Sequence, residues 1–283
     1  MWRSEWQVGL EIQPQQLLAV AARRHPTGWQ LMHWWQQPLP LGTFCEAQLL
    51  QPEALSTTLA AWQQQLPSRY RLQCALPPAL VLQAQLTLPT AIAPAQTAWA
   101  VQLSLPKLFP LPADDLAYDF CHPEGVAQPL LITVARRSIV AEWLAALRAA
   151  RLSPSIIEIT PCVLRALARQ QQHSPQALLL HLQADSSLVV SPPGTPCRFS
   201  SLPTDAALFT AALQWCVTQC GVTPSALLLS GEVEGLMQAS ADPPSALWRP
   251  FAHFRAPLPA LPDRQELFAV ACGLATRHHE DAL

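Results

Sequence analysis

The strongest constraint on the fold is a pattern that the chain carries twice. Near its start Val8, Leu10 and Ile12 alternate with Gly9 and Glu11, and a period of two puts the apolar residues on one face of a strand. Gln13-Pro14-Gln15-Gln16 is a polar turn, Leu17 to Ala22 a second strand, and Pro26-Thr27-Gly28 a turn into a third around Trp29, Leu31 and His33. The arrangement returns at Ala177–Leu182 and Leu188–Val190, which flank a polar turn, and Pro192-Pro193-Gly194-Thr195-Pro196 leads to a strand around 197–201. Two three-strand meanders, each followed by helices and strands, predict an α/β chain of two related halves. The likeness between the halves is one of topology and not of residues.

After the first meander, Pro52 opens a helix that runs to Leu66 with Leu55, Leu59 and Trp62 on one face, and Pro67 stops it. A strand follows at Tyr70–Leu76. Residues 79–154 read as a separate unit. It begins with the alternation Leu80, Leu82, Ala84, Leu86, Leu88, continues as a helix over 91–105, and meets a proline-broken run from Leu105 to Pro112. Strands near 116–121 and 130–135 lead to a helix over 138–151. Its Val140, Trp143, Leu144 and Leu147 share a face, while Arg148 and Arg151 sit where the helix dipole favours cations. In the second half a helix over 208–220 ends at Gly221, a short strand Ala226–Leu229 runs into Ser230-Gly231, and a last helix covers 264–277 with Phe268, Ala271 and Leu274.

Composition closes off several function classes. Half the residues are hydrophobic and 13% are charged, so the chain can bury a substantial core. The net charge is −2 with no Lys/Arg run, which argues against direct nucleic-acid binding. Glu5 stands where a signal peptide needs apolar residues, and no stretch reaches the roughly 20 apolar residues of a membrane span, so a cytoplasmic protein is expected. Eight cysteines at 45, 74, 121, 162, 197, 216, 220 and 272 form no C-x-x-C pair, and reduced, mostly buried thiols are the reading. Cys216 and Cys220 lie one helical turn apart without a matching His pair, and His278-His279-Glu280-Asp281 is a terminal run. Ser186-Ser187 lacks a nucleophile elbow, and no Ser/His/Asp, paired-carboxylate or phosphate-loop pattern stands out. Trp34, Trp35 and Trp99 are either core or partner surface.

Four stretches resemble a known family. They are Gly9-Leu10-Glu11-Ile12 with Leu17–Val20; Leu86-Thr87-Leu88-Pro89 with Trp99 and the run from Phe109-Pro110-Leu111-Pro112 to Asp119; Leu130–Arg136 with Val140–Leu147 and Ala149–Pro154; and Leu227–Gly231 with Phe268–Ala275. In order and spacing they resemble the PilM family of type IV pilus assembly proteins, relatives of the division protein FtsA, and in particular its DNA-utilisation branch. The resemblance implies an actin-like (ribonuclease H-type) two-lobed fold with an inserted small α+β subdomain and a truncated fourth subdomain. Residues 1–78 with 155–172 would form the first lobe, 79–154 the insert, and 173–283 the second lobe with a reduced insert at 203–223.

The family pattern also implies an ATP site between the lobes, built on two hairpins whose glycine turns let backbone N–H groups approach phosphates. This sequence departs from it at each turn. Glu11-Ile12-Gln13 stands for an Asp-Ile-Gly, Leu18 for a lysine, His181-Leu182-Gln183 for the second Asp-Ile-Gly, and Ser230-Gly231-Glu232 for a Ser-Gly-Gly. Side chains at Gln13 and Gln183 block close phosphate approach and add strain wherever the turn needs a positive φ. Glu232 sets a carboxylate against a nucleotide's charge, and His181 is a poor substitute for an Asp on Mg²⁺. The expectation is therefore a degenerate site with no cofactor, no metal and no catalytic residue. The resemblance further implies a non-catalytic scaffold that grips the cytoplasmic N-terminal peptide of a PilN-like inner-membrane partner (HofN in the DNA-utilisation set) and reaches the membrane through it. Phe109, Pro110, Leu111 and Pro112 are expected to line part of that groove, or else to pack the insert on the first sheet. The rival is an actin-superfamily ATPase with atypical phosphate loops.

Overall fold

The protein is described from a computed structural model, which covers residues 5–45, 47–89, 93–121, 129–183, 186–233, 243–255 and 259–277. The first meander forms as expected: β1 (Trp6–Ile12), β2 (Gln16–His25) and β3 (Gly28–Pro38) pair antiparallel. The short β4 (Phe44–Cys45) and β5 (Gln48–Leu49) lead to α1 (Pro52–Gln63), which buries Leu55, Leu59 and Trp62. β6 (Tyr70–Leu76) lies parallel to β1. Next come β7 (Val81–Leu86), α2 (Pro94–Leu108), β8 (Leu116–Cys121), β9 (Leu130–Arg136) and α3 (Arg137–Ala149). The chain then returns through β10 (Pro154–Ile159), parallel to β6, and α4 (Thr160–Gln170).

The second half repeats this plan. β11 (Ala177–Leu182), β12 (Ser187–Val190) and β13 (Phe199–Leu202) form the meander, and α5 (Leu208–Cys220) precedes β14 (Ala226–Gly231), parallel to β11. β15 (Ser245–Leu247), β16 (Phe254–Arg255) and α6 (Ala269–Ala275) complete it. The sheets run β10-β6-β1-β2-β3-β16 and β13-β12-β11-β14-β15. Leaving aside β16, which joins β3, the strand order is the same in both. The duplication that the two meanders predicted is therefore carried through five strands of each sheet.

Alternation along the strands sorts the core into layers. Val8, Leu10 and Ile12 face α1 and α3, whereas Leu18, Val20 and Ala22 face the other way and join α4, α6, Leu179 and Val190 in a cluster that both sheets share. Leu178, Leu180 and Leu182 cover α5 on the far side of the second sheet. Helices, sheet, helices, sheet and helix thus stack as five layers, with α4 and α6 in the middle. The central packing is close enough to dictate glycine: a Cβ on Gly9 would lie 2.2 Å from Ala271 O, and one on Gly273 would lie 2.7 Å from Val163 Cγ1.

Several boundaries differ from the sequence reading. α2 does not stop at Leu105 but continues through Pro106 to Leu108, since a proline in the last turn forfeits one N–H bond and Phe109 N–H still caps Leu105 O at 3.0 Å. α1 ends at Gln63, before Leu66. β14 reaches Gly231, so Ser230-Gly231 is strand and not the turn after it. The last helix is short, with a 3₁₀ turn over Gln265–Phe268 in front of α6. The terminal run at 278–281 lies outside the described residues.

Candidate functional site

The geometry follows from strand parity. In β1 the apolar residues claim one face, so Gly9 and Glu11 fall on the face toward the middle layer, and Gln13 continues that register. In β11 and β14 the same count puts His181 and Ser230 on the inner face. Glu11, Gln13, His181 and Ser230 stand at or just beyond the C-terminal ends of parallel strands, where open α/β sheets commonly bind their ligands. Here the side chains meet each other. Ser230 Oγ lies 3.0 Å from His181 Nδ1, His181 Nε2 lies 3.4 Å from Glu11 Oε1, and Gln13 Nε2 donates to that same oxygen at 2.9 Å. The row continues outward as Gln16 Nε2 donates to Gln13 Oε1 at 2.9 Å and Gln36 Nε2 to Gln16 Oε1 at 2.8 Å.

Burial decides what this arrangement can do. His181 is 0% exposed, Ser230 1%, Glu11 3% and Gln13 7%. The Ser230 hydroxyl shares a hydrogen bond with Nδ1 and reaches Leu180 O at 3.4 Å, while Nε2 faces the Glu11 carboxyl group. The line Ser230–His181–Glu11 has the residue types of a hydrolytic triad, yet the hydroxyl is sealed from any substrate. Polar satisfaction is incomplete, because His181 Nε2 and Glu11 Oε2 have no hydrogen-bond partner. A buried network with loose ends fixes register between the two sheets more than it adds stability.

The residues do not fit a nucleotide with its metal. The side chains that should surround phosphate and Mg²⁺ already fill the space between the strand ends. No group of three or more metal-ligating side chains occurs among the described residues, and an imidazole beside one carboxylate is a weak donor set for a hard cation. Leu18 is 0% exposed, pairs with Glu11 across the β1–β2 ladder, and belongs to the shared core. Where the family pattern has a cation this chain therefore adds apolar packing. Gly231, at φ +81, has no room for a Cβ, which would lie 2.0 Å from Leu182 O, so this glycine serves the strand contact and not a ligand. Glu232 is half-buried and its N–H donates to Leu182 O at 2.9 Å.

Two sequence expectations need correction. Neither Gln13 nor Gln183 is strained, for Arg151 and Gln172 are the non-glycine residues of positive φ among those described. Both turns close with ordinary bonds: Gln13 N–H donates to Gln16 O and Gln183 N–H to Ser186 O, each at 2.9 Å. The proline corner is also not a uniform groove. Phe109 is buried with Leu88, Leu105, Leu116 and Ile132 in the insert's own core, so it packs neither a ligand nor the first sheet, whereas Pro110 and Pro112 are exposed and Leu111 is half-buried. Of the tryptophans left open, Trp35 is core against Trp62, Trp34 is half-buried with Nε1 donating to Ala260 O, and Trp99 on α2 is 64% exposed. Leu103, one helical turn on, is 56% exposed.

Sequence reasoning missed Gln16 and Gln36, whose polar turn and edge positions gave no sign of a shared row. It also discounted Ser187, which is buried and bonded to Thr204 Oγ1 at 2.7 Å. A depression lined by Arg24, His25, Pro26, Gly28, Trp29 and Gln170 lies at the opposite end of β2 from Glu11. No helix among the described residues is long and apolar enough to cross a membrane.

Similarity to known proteins agrees with this architecture. A curated relative, the DNA utilization protein HofM of Escherichia coli K12, is 33% identical over 78 residues, 28% of this chain and only 30% of that protein. A solved PilM-PilN type IV pilus biogenesis complex superposes with a TM-score of 0.77 at 21% identity, over 95% of this chain and 97% of the other. The cytoplasmic domain of EpsL, an inner-membrane component of the Vibrio cholerae type II secretion system, gives 0.57 at 12% identity, over 94% of each chain. The fold is actin-like. Residues 9–179, more than half of the sequence, match the family described as type IV pilus assembly protein PilM, and the chain belongs to that family.

Proposed function

We propose that this chain is a non-catalytic scaffold of a type IV pilus-like DNA uptake machine, one that holds the cytoplasmic N-terminal peptide of a PilN-like inner-membrane protein such as HofN. The observation that carries the reading is the buried row Ser230–His181–Glu11–Gln13, which ties the two strand-end hairpins together where an actin-like ATPase keeps a nucleotide. Glu11, Gln13, Leu18, His181 and Ser230 are all at most 7% exposed, so a phosphate arriving from solvent finds them covered. The partner half of the proposal is supported by the likeness to a PilM-PilN complex and by the name of the curated relative, HofM. The insert, residues 79–154, is the unit taken to meet the peptide, and its exposed Pro110 and Pro112 with the half-buried Leu111 offer a proline-fixed rim for it, anchored from beneath by Phe109.

Calorimetric titration tests the two halves separately. ATP with Mg²⁺ is expected to release no binding heat and to undergo no turnover; micromolar binding with hydrolysis would instead make the chain an ATPase. The HofN cytoplasmic peptide is expected to bind, with affinity reduced by Leu111→Ser. Absence of any association between that peptide and the full chain removes the partner assignment.

A further inference from the structure

The geometry points to a reversible disulfide site formed by Cys162 and Cys197, a modification site on the scaffold that is independent of its partner. The two sulfur atoms lie 3.9 Å apart, and both residues are partly exposed. They come from different halves: Cys162 sits in the first turn of α4, and Cys197 just before β13. Their approach is built, not incidental. Arg165, one turn along α4 from Cys162, is buried and donates to Ser191 Oγ and to the carbonyls of Ser191, Pro192, Pro193 and Thr195. That guanidinium holds the proline-rich loop against the helix and delivers Cys197 over Cys162.

The electrostatics favour one thiol as the attacking group. A hydrogen bond from Cys162, with the charges of Arg165 and Arg169, draws Cys197 down from 9.0 to about 7 against the opposing effect of burial. Cys162 keeps its proton, held up by that same hydrogen bond and by burial. A low-molecular-weight disulfide such as oxidised glutathione supplies the oxidant. The Cys197 thiolate attacks one of its sulfurs and expels one glutathione thiolate, giving a mixed disulfide. Cys162 then yields its proton and attacks the Cys197 sulfur, expelling the second. Two protein thiols lose two electrons and two protons, and one glutathione disulfide becomes two glutathiones. Such a bond in a glutathione-buffered compartment is transient and reports the redox state. It would staple α4, in the middle layer, to the meander of the second sheet.

Peptide mapping of the full chain after exposure to oxidised glutathione reads the pairing directly. Tryptic peptides 152–165, 170–198 and 108–136 carry Cys162, Cys197 and Cys121 singly, and 199–255, which runs through the uncleaved Arg249-Pro250 bond, carries Cys216 with Cys220. The expected product joins 152–165 to 170–198, is lost in Cys162→Ser and in Cys197→Ser, persists in Cys121→Ser, and reverses with dithiothreitol. Oxidised protein should also melt roughly 5 °C or more higher than reduced protein. A link from Cys121 to Cys197, whose charges interact, overturns the assignment. So does persistence of glutathione on Cys197 without closure, or oxidation confined to 199–255.

Discussion

The hairpins β1–β2 and β11–β12 occupy the same place in two sheets of the same strand order, and the comparison turns on one residue. One ends Glu11-Ile12-Gln13 and the other His181-Leu182-Gln183. Two like carboxylates facing each other across the gap between the sheets would repel and would need a cation between them. A carboxyl group and an imidazole can approach to 3.4 Å without one. The second difference lies in the glutamines. Gln13 folds inward onto Glu11 and is 7% exposed, whereas Gln183 is half-buried at its own turn. The first hairpin therefore supplies both the carboxyl group and a plug, and the second supplies the imidazole. A duplicated fold has been closed on itself by making its two halves chemically unlike.

The largest expected break in that asymmetry is His181→Asp, which would leave two carboxylates buried together and Ser230 without its imidazole. Loss of about 3–5 kcal/mol, measured by urea unfolding at neutral pH, is the expectation, with much of it regained in the pair with Glu11→Gln. A smaller loss of roughly 2–3 kcal/mol should follow Gly231→Ala, since φ +81 and Leu182 O both oppose a side chain. Gly221→Ala separates those two causes, having φ +69 but open space around it, and should cost only about 1 kcal/mol. These unfolding measurements belong above pH 6.5, because a different imidazole sets an acid limb. Burial draws His253 down from 6.5 to about 4 against a hydrogen bond that the ring donates to the Pro250 carbonyl. Between those values the unfolded chain binds the proton and the folded one does not, so stability falls as pH drops through that window. The loss at pH 5 relative to pH 7 is on the order of 2 kcal/mol, and His253→Gln should flatten the limb. Smallest is Gln16→Ala, which removes the exposed continuation of the row at a cost of about 0.5–1 kcal/mol and should leave peptide binding intact.

Local periodicity made much of this fold legible. Alternation of Val8, Leu10 and Ile12, proline at the start of α1, and the positive-φ glycine after α5 each report a local cause. β10 with α4 was not resolved into elements, because Pro154–Gln170 is a run of mixed apolar residues whose division into strand and helix depends on pairing with β6. α2 passing Pro106 was hidden for a related reason: a proline ends a helix only where the lost bond is not compensated. At the site, the positions were readable but their company was not. Glu11 and His181 are separated by most of the first half of the chain, and nothing near either one says that they touch. A cleft with side chains too large for phosphate looks the same in sequence whether it stands open or closes on itself.

Gly9 has a consequence for the order in which the molecule can assemble. Its missing side chain lets the backbone of α6 rest directly on β1, so this strand is covered by residues near 271–275, which are made about 260 residues later. During synthesis the inner face of the first sheet, with Leu18, Val20 and Ala22, therefore stays wet until nearly all of this sequence has left the ribosome. A sheet begun long before α6 emerges is among the last parts to become dry, and that interval is when a nascent copy is most open to capture by chaperones or by its own kind.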